Sequence, residues 1–191
     1  MVNTDNLSAD QLKRIETAIR VSEAFRKEGF DPIQYGGATV EFYTQGLYTT
    51  GDVDMGFLRT APSLEGKNRI MNGFGCRDSI RFYKVGDVLL DLGGVAELYS
   101  DRFVRIQTAE GSLLMEAPEE EISQRLLYGI YPQPNEEQTQ AAKLLVAQGL
   151  LGNIPVDWDE ARRVARLPGF KVEAELDQLL VECRKELGLP F

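Results

Sequence analysis

Two aspartates one residue apart, Asp52 and Asp54, stand in and beside the apolar run Val53-Asp54-Met55-Gly56-Phe57-Leu58. Side chains on a strand alternate between faces, so both carboxylates project from the same side. Carboxylates held that close repel each other and raise each other's pKa unless a cation sits between them. The simplest chemistry for such a pair is a divalent metal with oxygen ligands, magnesium or manganese. A glycine pair, Gly36-Gly37, opens the same stretch after a short apolar run ending at Tyr35.

The chain has no histidine. This excludes a serine or cysteine nucleophile served by an imidazole base, zinc sites that need imidazole, and any histidine proton shuttle. Its two cysteines, Cys76 and Cys183, lie far apart and form no metal-ligand spacing. Both are expected to be reduced thiols in a cytoplasmic protein. The remaining chemistry must use carboxylates, hydroxyls, amines or a metal. A formal net charge of −9 argues against binding nucleic acid over the whole surface. One segment departs from that balance: Arg59, Lys67, Arg69, Arg77, Arg81 and Lys84 face only Glu65 and Asp78 in the stretch 59–84. It reads either as a solvated face or as a phosphate-facing rim beside the acids.

The elements that must position these residues are marked by caps and periodicity. Ser8-Ala9-Asp10-Gln11 is a capping box opening a helix that Gly29 ends. Residues 32–35 form a short strand, and 38–45 a helix carrying Val40, Phe42 and Tyr43. The loop 46–51 then delivers the chain to the aspartate strand. A helix over 64–72 follows, then strands over 78–85, with Ile80, Phe82 and Val85 alternating, over 88–92 and over 103–107, with a short fourth over 112–116. Composition changes at Pro118: Pro118-Glu119-Glu120-Glu121 starts a helix with acids complementing its positive end. Asn135 and Asp157 open two more helices, Trp158 reading as a packing anchor between the two parts, and a last helix spans 172–187. The expected fold class is α+β: a mixed sheet with helices mainly on one face over residues 1–117, then an all-helical part over 118–191. No apolar run approaches a membrane span, residues 1–6 lack the pattern of a signal peptide, and the expected location is the cytoplasm.

Taken together, Tyr35-Gly36-Gly37 and Asp52-Val53-Asp54-Met55 resemble the glycine–aspartate unit of the nucleotidyltransferase superfamily of the DNA polymerase beta type. Within it, Gly36-Gly37-Ala38-Thr39-Val40-Glu41-Phe42-Tyr43 followed by Thr50-Gly51-Asp52-Val53-Asp54 looks like small prokaryotic nucleotidyltransferase-like proteins, relatives of the AbiEii abortive-infection toxins. Residues 116–122 resemble the strand-to-helix step after the sheet in those proteins. The resemblance implies a Mg²⁺- or Mn²⁺-dependent enzyme that moves a nucleoside monophosphate from an NTP to a hydroxyl acceptor on RNA, a protein or a small molecule. It also admits a catalytically degenerate binding protein, such as a toxin–antitoxin component, working with a partner protein or as a homo-oligomer. Gly36 and Gly37 would let the backbone approach a triphosphate. Asp52, Asp54 and a third acid would hold the metal. Asp91, inside Leu89-Leu90-Asp91-Leu92, is preferred to Asp87, which follows Gly86 as a turn residue would. Thr39, Arg59 and Lys67 are the further nucleotide-binding candidates. Ala38 stands where relatives often place a phosphate-contacting Ser or Thr. Tyr43, Tyr48 and Phe57 could stack on a base, though core packing accounts for them as well.

Overall fold

The computed structural model describes residues 7–190; the leader-free reading of residues 1–6 lies outside the described residues. Helix α1 (Ala9–Lys27) starts at the expected capping box: the Ser8 hydroxyl accepts the Gln11 N–H and the Gln11 side chain accepts the Ser8 N–H. The chain continues through β1 (Pro32–Tyr35), α2 (Gly37–Tyr43), β2 (Val53–Phe57) and α3 (Leu64–Asn72). Two hairpins follow, β3 (Phe82–Val85) with β4 (Val88–Val95) and β5 (Phe103–Thr108) with β6 (Gly111–Glu116). Then come α4 (Pro118–Ile130), α5 (Glu136–Leu150), α6 (Trp158–Ala165) and α7 (Glu173–Leu187).

The six strands form one mixed sheet in the order β3-β4-β2-β1-β6-β5. β1 runs antiparallel to β2 and parallel to β6, while β2 and β4 are parallel. This is the expected α+β architecture, with helices after the sheet. Alternation sorts the central strands. Val53, Met55 and Phe57 of β2 and Leu90 and Leu92 of β4 are buried, and Phe57 meets Phe25 of α1 edge-on at 5.1 Å between ring centres. The other face of the same strands carries Asp54, Gly56 and Asp91. One continuous apolar cluster runs from beneath α1 through the sheet into α5, α6 and α7, where Leu176, Leu179, Leu180 and Cys183 are buried.

The expectation for β3 changes. The strand expected over 78–85 is only Phe82–Val85, and of the three apolar residues expected to alternate only Val85 is buried: Ile80 and Phe82 are exposed while Tyr83 pairs with buried Leu90. At an edge strand the outer face needs no apolar cover, so alternation read from Ile80 and Phe82 points outward. The first-turn acids of α4 do not face solvent. Glu119 accepts the Asp157 N–H at 2.7 Å, and Glu120 accepts the Tyr99 and Ser100 N–H groups at 2.7 and 2.9 Å, with both carboxylates 1% exposed. They latch the loop after β4 and the start of α6 onto α4, satisfying backbone donors that burial would otherwise strand. The Trp158 ring lies against Gly149 of α5.

Candidate active site

Strand register places one side chain from each of four strands in a row on the open face. Phe82 of β3 is opposite Asp91 of β4, Asp91 is beside Asp54 of β2, and Asp54 is opposite Tyr35 of β1. Residues paired in this way share a face and approach within side-chain contact. Asp52 precedes β2 and joins from the same side. One carboxylate oxygen each from Asp52, Asp54 and Asp91 lies within 4.8 Å of the others. Asp87 is elsewhere, an exposed residue of the β3–β4 turn paired with Lys13 at 2.7 Å.

Each carboxylate is aimed by its own device. Arg14 of α1 donates to Glu41 of α2 at 2.9 Å and to the Thr50 carbonyl at 2.6 Å. Glu41 also accepts the Thr50 N–H, and the Thr50 hydroxyl donates to Asp52 at 3.3 Å. Asp54 accepts the Gly37 N–H. Gly36, with φ 71°, turns the chain so closely over Asp54 that a Cβ would lie 2.8 Å from its Oδ2. A side chain is excluded here both by conformation and by space. Asp91, 4% exposed, accepts from the half-exposed Arg81 guanidinium.

Burial first, then the charges of Asp52 and Asp91, raises the Asp54 pKa to about 6, against the pull of the Gly37 N–H. An acid loaded in this way is relieved by a cation. Three oxygen donors of one sign, converging without imidazole or thiolate, fit a hard divalent metal.

The remaining sequence candidates fall at different depths. Lys67 donates to the Leu92 carbonyl at 3.1 Å, just past Asp91, and its charge acts on that aspartate. Arg59 lies two residues past the end of β2, beyond the opposite end of that strand from Asp54. Thr39 is fully buried in α2, its hydroxyl unpartnered, and so is enclosed rather than facing the acids. Tyr43 and Phe57 are core residues, and Tyr48 reaches Glu137 of α5 at 3.3 Å. Sequence reasoning counted Arg81 only as part of a basic stretch and assigned no role to Arg14, Glu41, Thr50 or the Tyr35 side chain. Tyr35 had a usable signal. A Cβ on Gly56 would meet its ring at 3.0 Å and one on Gly93 its hydroxyl at 2.9 Å, so strand glycines mark the seat of a ring laid across the sheet.

A second acid group adjoins the site. Glu116, ending β6, receives the Gln124 side-chain N–H and hydrogen-bonds Glu121 of α4. Arg125 donates twice to the other Glu121 oxygen, at 3.2 Å. Two carboxyl groups bond each other only if one keeps a proton, and burial together with Glu121 pushes the Glu116 carboxyl well above the usual carboxylate range.

No protein-family model matches the sequence, and no curated protein matches it. Among solved structures, the chain is similar to the solution structure of the antibiotic-resistance factor ANT(2'')-Ia at TM-score 0.50 and 14% identity, over 94% of this chain and 98% of that one. The crystal structure of ANT(2'')-Ia with adenylyl-2''-tobramycin matches at 0.50 and 13%, over 88% and 95%. An antigenic nucleotidyltransferase-like protein from Paracoccidioides brasiliensis matches at 0.57 and 15%, over 91% and 94%. Likeness over nearly whole chains at such low identity is a likeness of fold, and the fold of this chain is a nucleotidyltransferase-like α+β fold.

Proposed function

We propose that the protein is a metal-dependent nucleotidyltransferase that moves a nucleoside monophosphate from an NTP to a hydroxyl acceptor. The observation that carries this reading is the convergence of Asp52, Asp54 and Asp91 on one open sheet face, with the Gly36-Gly37 turn directly over Asp54. Asp52, Asp54 and Asp91 would hold one or two Mg²⁺ or Mn²⁺ ions. When bound, such ions supply charge neutralisation and Lewis acidity at the triphosphate. Arg81 and Lys67, both beside Asp91, would meet the remaining charge of the triphosphate. Asp91 takes the acceptor's hydroxyl proton. The acceptor oxygen bonds to the α-phosphorus, the bond from that phosphorus to its bridging oxygen breaks, and pyrophosphate leaves with the electron pair. The helical part, residues 118–191, completes the acceptor side. The neighbour bound to adenylyl-2''-tobramycin supports a small-molecule hydroxyl as acceptor, beside RNA and protein.

Label transfer from α-³²P-NTPs, tried one at a time with Mn²⁺, tests this against an Asp52→Ala/Asp54→Ala control. Acceptors are small-molecule extract, total RNA and protein lysate. Label on one acceptor, absent in the control, is the expected result. No label, together with no Mn²⁺-dependent thermal shift by NTP, would sink the enzyme reading and leave a binding scaffold.

A further inference from the structure

Asp91 is the most enclosed of the three aspartates, 4% exposed where Asp52 and Asp54 are partly exposed. A carboxylate taken that far from water needs donors or a cation. Among the described residues, the side chain that donates to it is Arg81. The backbone of Arg81 is fixed, because its carbonyl accepts the Leu92 N–H at 2.9 Å. The rest of the residue is not enclosed. Its side chain is 55% exposed, and the guanidinium lies over the Phe82 ring, 5.6 Å from the centroid. Lys67, the other cation here, is held by the carbonyls of Leu92, Ile80 and Gly93 at 3.1, 3.4 and 3.5 Å. Of the two, Arg81 is therefore the one that rotates away from the triad without unpacking its neighbours.

A guanidinium on Asp91 is a rival of a metal ion there. It draws on the same carboxylate, and its charge also acts on Asp54. Two cations that share one acid repel each other. A triphosphate offers Arg81 the same paired oxygens that Asp91 does, and in greater number. Its arrival removes the rival while supplying further oxygen ligands. We propose that Arg81 is a positioning residue that holds Asp91 until a nucleoside triphosphate draws it off, so that the triad takes its divalent metal with the nucleotide rather than ahead of it. Such coupling is reciprocal: metal on the triad releases Arg81 to the phosphates. The part played by the nucleotide rests on the transfer reading above; the rivalry between Arg81 and a metal rests on the ion pair.

Mn²⁺ titration by electron paramagnetic resonance, on the whole protein without nucleotide, tests the rivalry. Arg81→Gln should bind Mn²⁺ about fivefold more tightly than the native chain, and Arg81→Lys, which keeps the charge, about as the native chain does. Lys13→Gln removes an exposed cation paired with Asp87 and should leave Mn²⁺ affinity where it was. Calorimetry with Mn²⁺ and the α,β-methylene analogues of ATP, GTP, CTP and UTP tests the nucleotide's part. The analogue that the native chain binds should bind Arg81→Gln about tenfold more weakly. Opposite signs for metal and nucleotide are the signature, read on proteins shown to be folded by circular dichroism. Both affinities falling makes Arg81 a brace for Asp91, and a fall for the nucleotide alone makes it a phosphate ligand only; either result overturns the inference. A Mn²⁺ gain matched by Lys13→Gln overturns it too, as a general effect of net charge. Label transfer separates this inference from the reading it rests on. Transfer by a native chain whose Arg81→Gln variant gains no Mn²⁺ affinity removes the inference and leaves the enzyme standing. A Mn²⁺ gain with no analogue bound by the native chain removes the coupling, and with no label transfer it removes the enzyme as well.

Discussion

At Asp52, Asp54 and Asp91 three carboxylates converge on an open sheet face, whereas Glu116 and Glu121 meet inside the junction of β6 and α4, 1% and 0% exposed. Both groups confront like-charge repulsion, and each relieves it differently. The buried pair shares a proton and lays a guanidinium along one side. The aspartates receive one donor apiece, from Thr50, Gly37 and Arg81, and keep further lone pairs free. A carboxyl cluster is thus a metal-site candidate because of what leaves it incompletely satisfied, not because of its charge count. The glutamates complete the contacts of a packed junction; Asp52 and Asp54 stand partly exposed on an open sheet face beside Asp91.

Substitutions that remove charge should break this comparison most sharply at the aspartates. Asp54→Asn is expected to lower label transfer by about 10³-fold through loss of metal-held charge stabilisation, with the protein still folded by circular dichroism. At the other cluster, Glu121→Ala leaves buried Arg125 without its carboxylate and should cost about 3 kcal/mol in urea unfolding, with no direct effect on Mn²⁺ binding. Glu121→Ala losing Mn²⁺ affinity in a folded protein would show that the two groups act as one.

The Asp54 carboxyl supplies a pH test. With a folded pKa of about 6 against an ordinary 3.8, the folded state binds the extra proton between those values. Its contribution to metal-free stability is therefore present at low pH and lost as pH rises through about 6. Melting in EDTA should fall by a few degrees between pH 5 and pH 7.5, by more than in Asp54→Asn. Mn²⁺ should restore it at pH 7.5 only in the native chain. Glu116 shifts in the same direction, so the difference between the two proteins, not either curve alone, reports Asp54. The smallest effect expected is that of Thr50→Val. It removes one donor from Asp52 and should weaken Mn²⁺ about threefold by electron paramagnetic resonance titration, with Thr50→Ser restoring it.

Local signals in the chain decided much of this. Ser8, Asn135 and Asp157 open their helices where capping chemistry requires, because a cap satisfies donors within three residues of itself. Ser63 opens α3 in the same manner, its hydroxyl accepting the Gly66 N–H. Asp52 and Asp54 share a face by the two-residue repeat of any strand. Parity at β3 was not legible, since only the neighbour β4 tells an edge strand which face is inward. The fates of Glu119, Glu120 and Glu121 were equally hidden, because a helical first turn looks alike in sequence whether water or another segment's N–H groups meet it.

Sequence by itself determined the glycine–aspartate unit, the absence of imidazole chemistry and the order of strands and helices, all of which depend on residue type and short spacing. Tertiary structure alone decided that Arg81 stands beside Asp91 and that Thr39 is sealed away. The parallel pairing of β2 with β4 brings Asp54 beside Asp91, and that pairing is a contact between segments far apart in the chain. No local rule encodes it; only burial of Val53, Met55, Leu90 and Leu92 in the sheet's apolar face fixes that register.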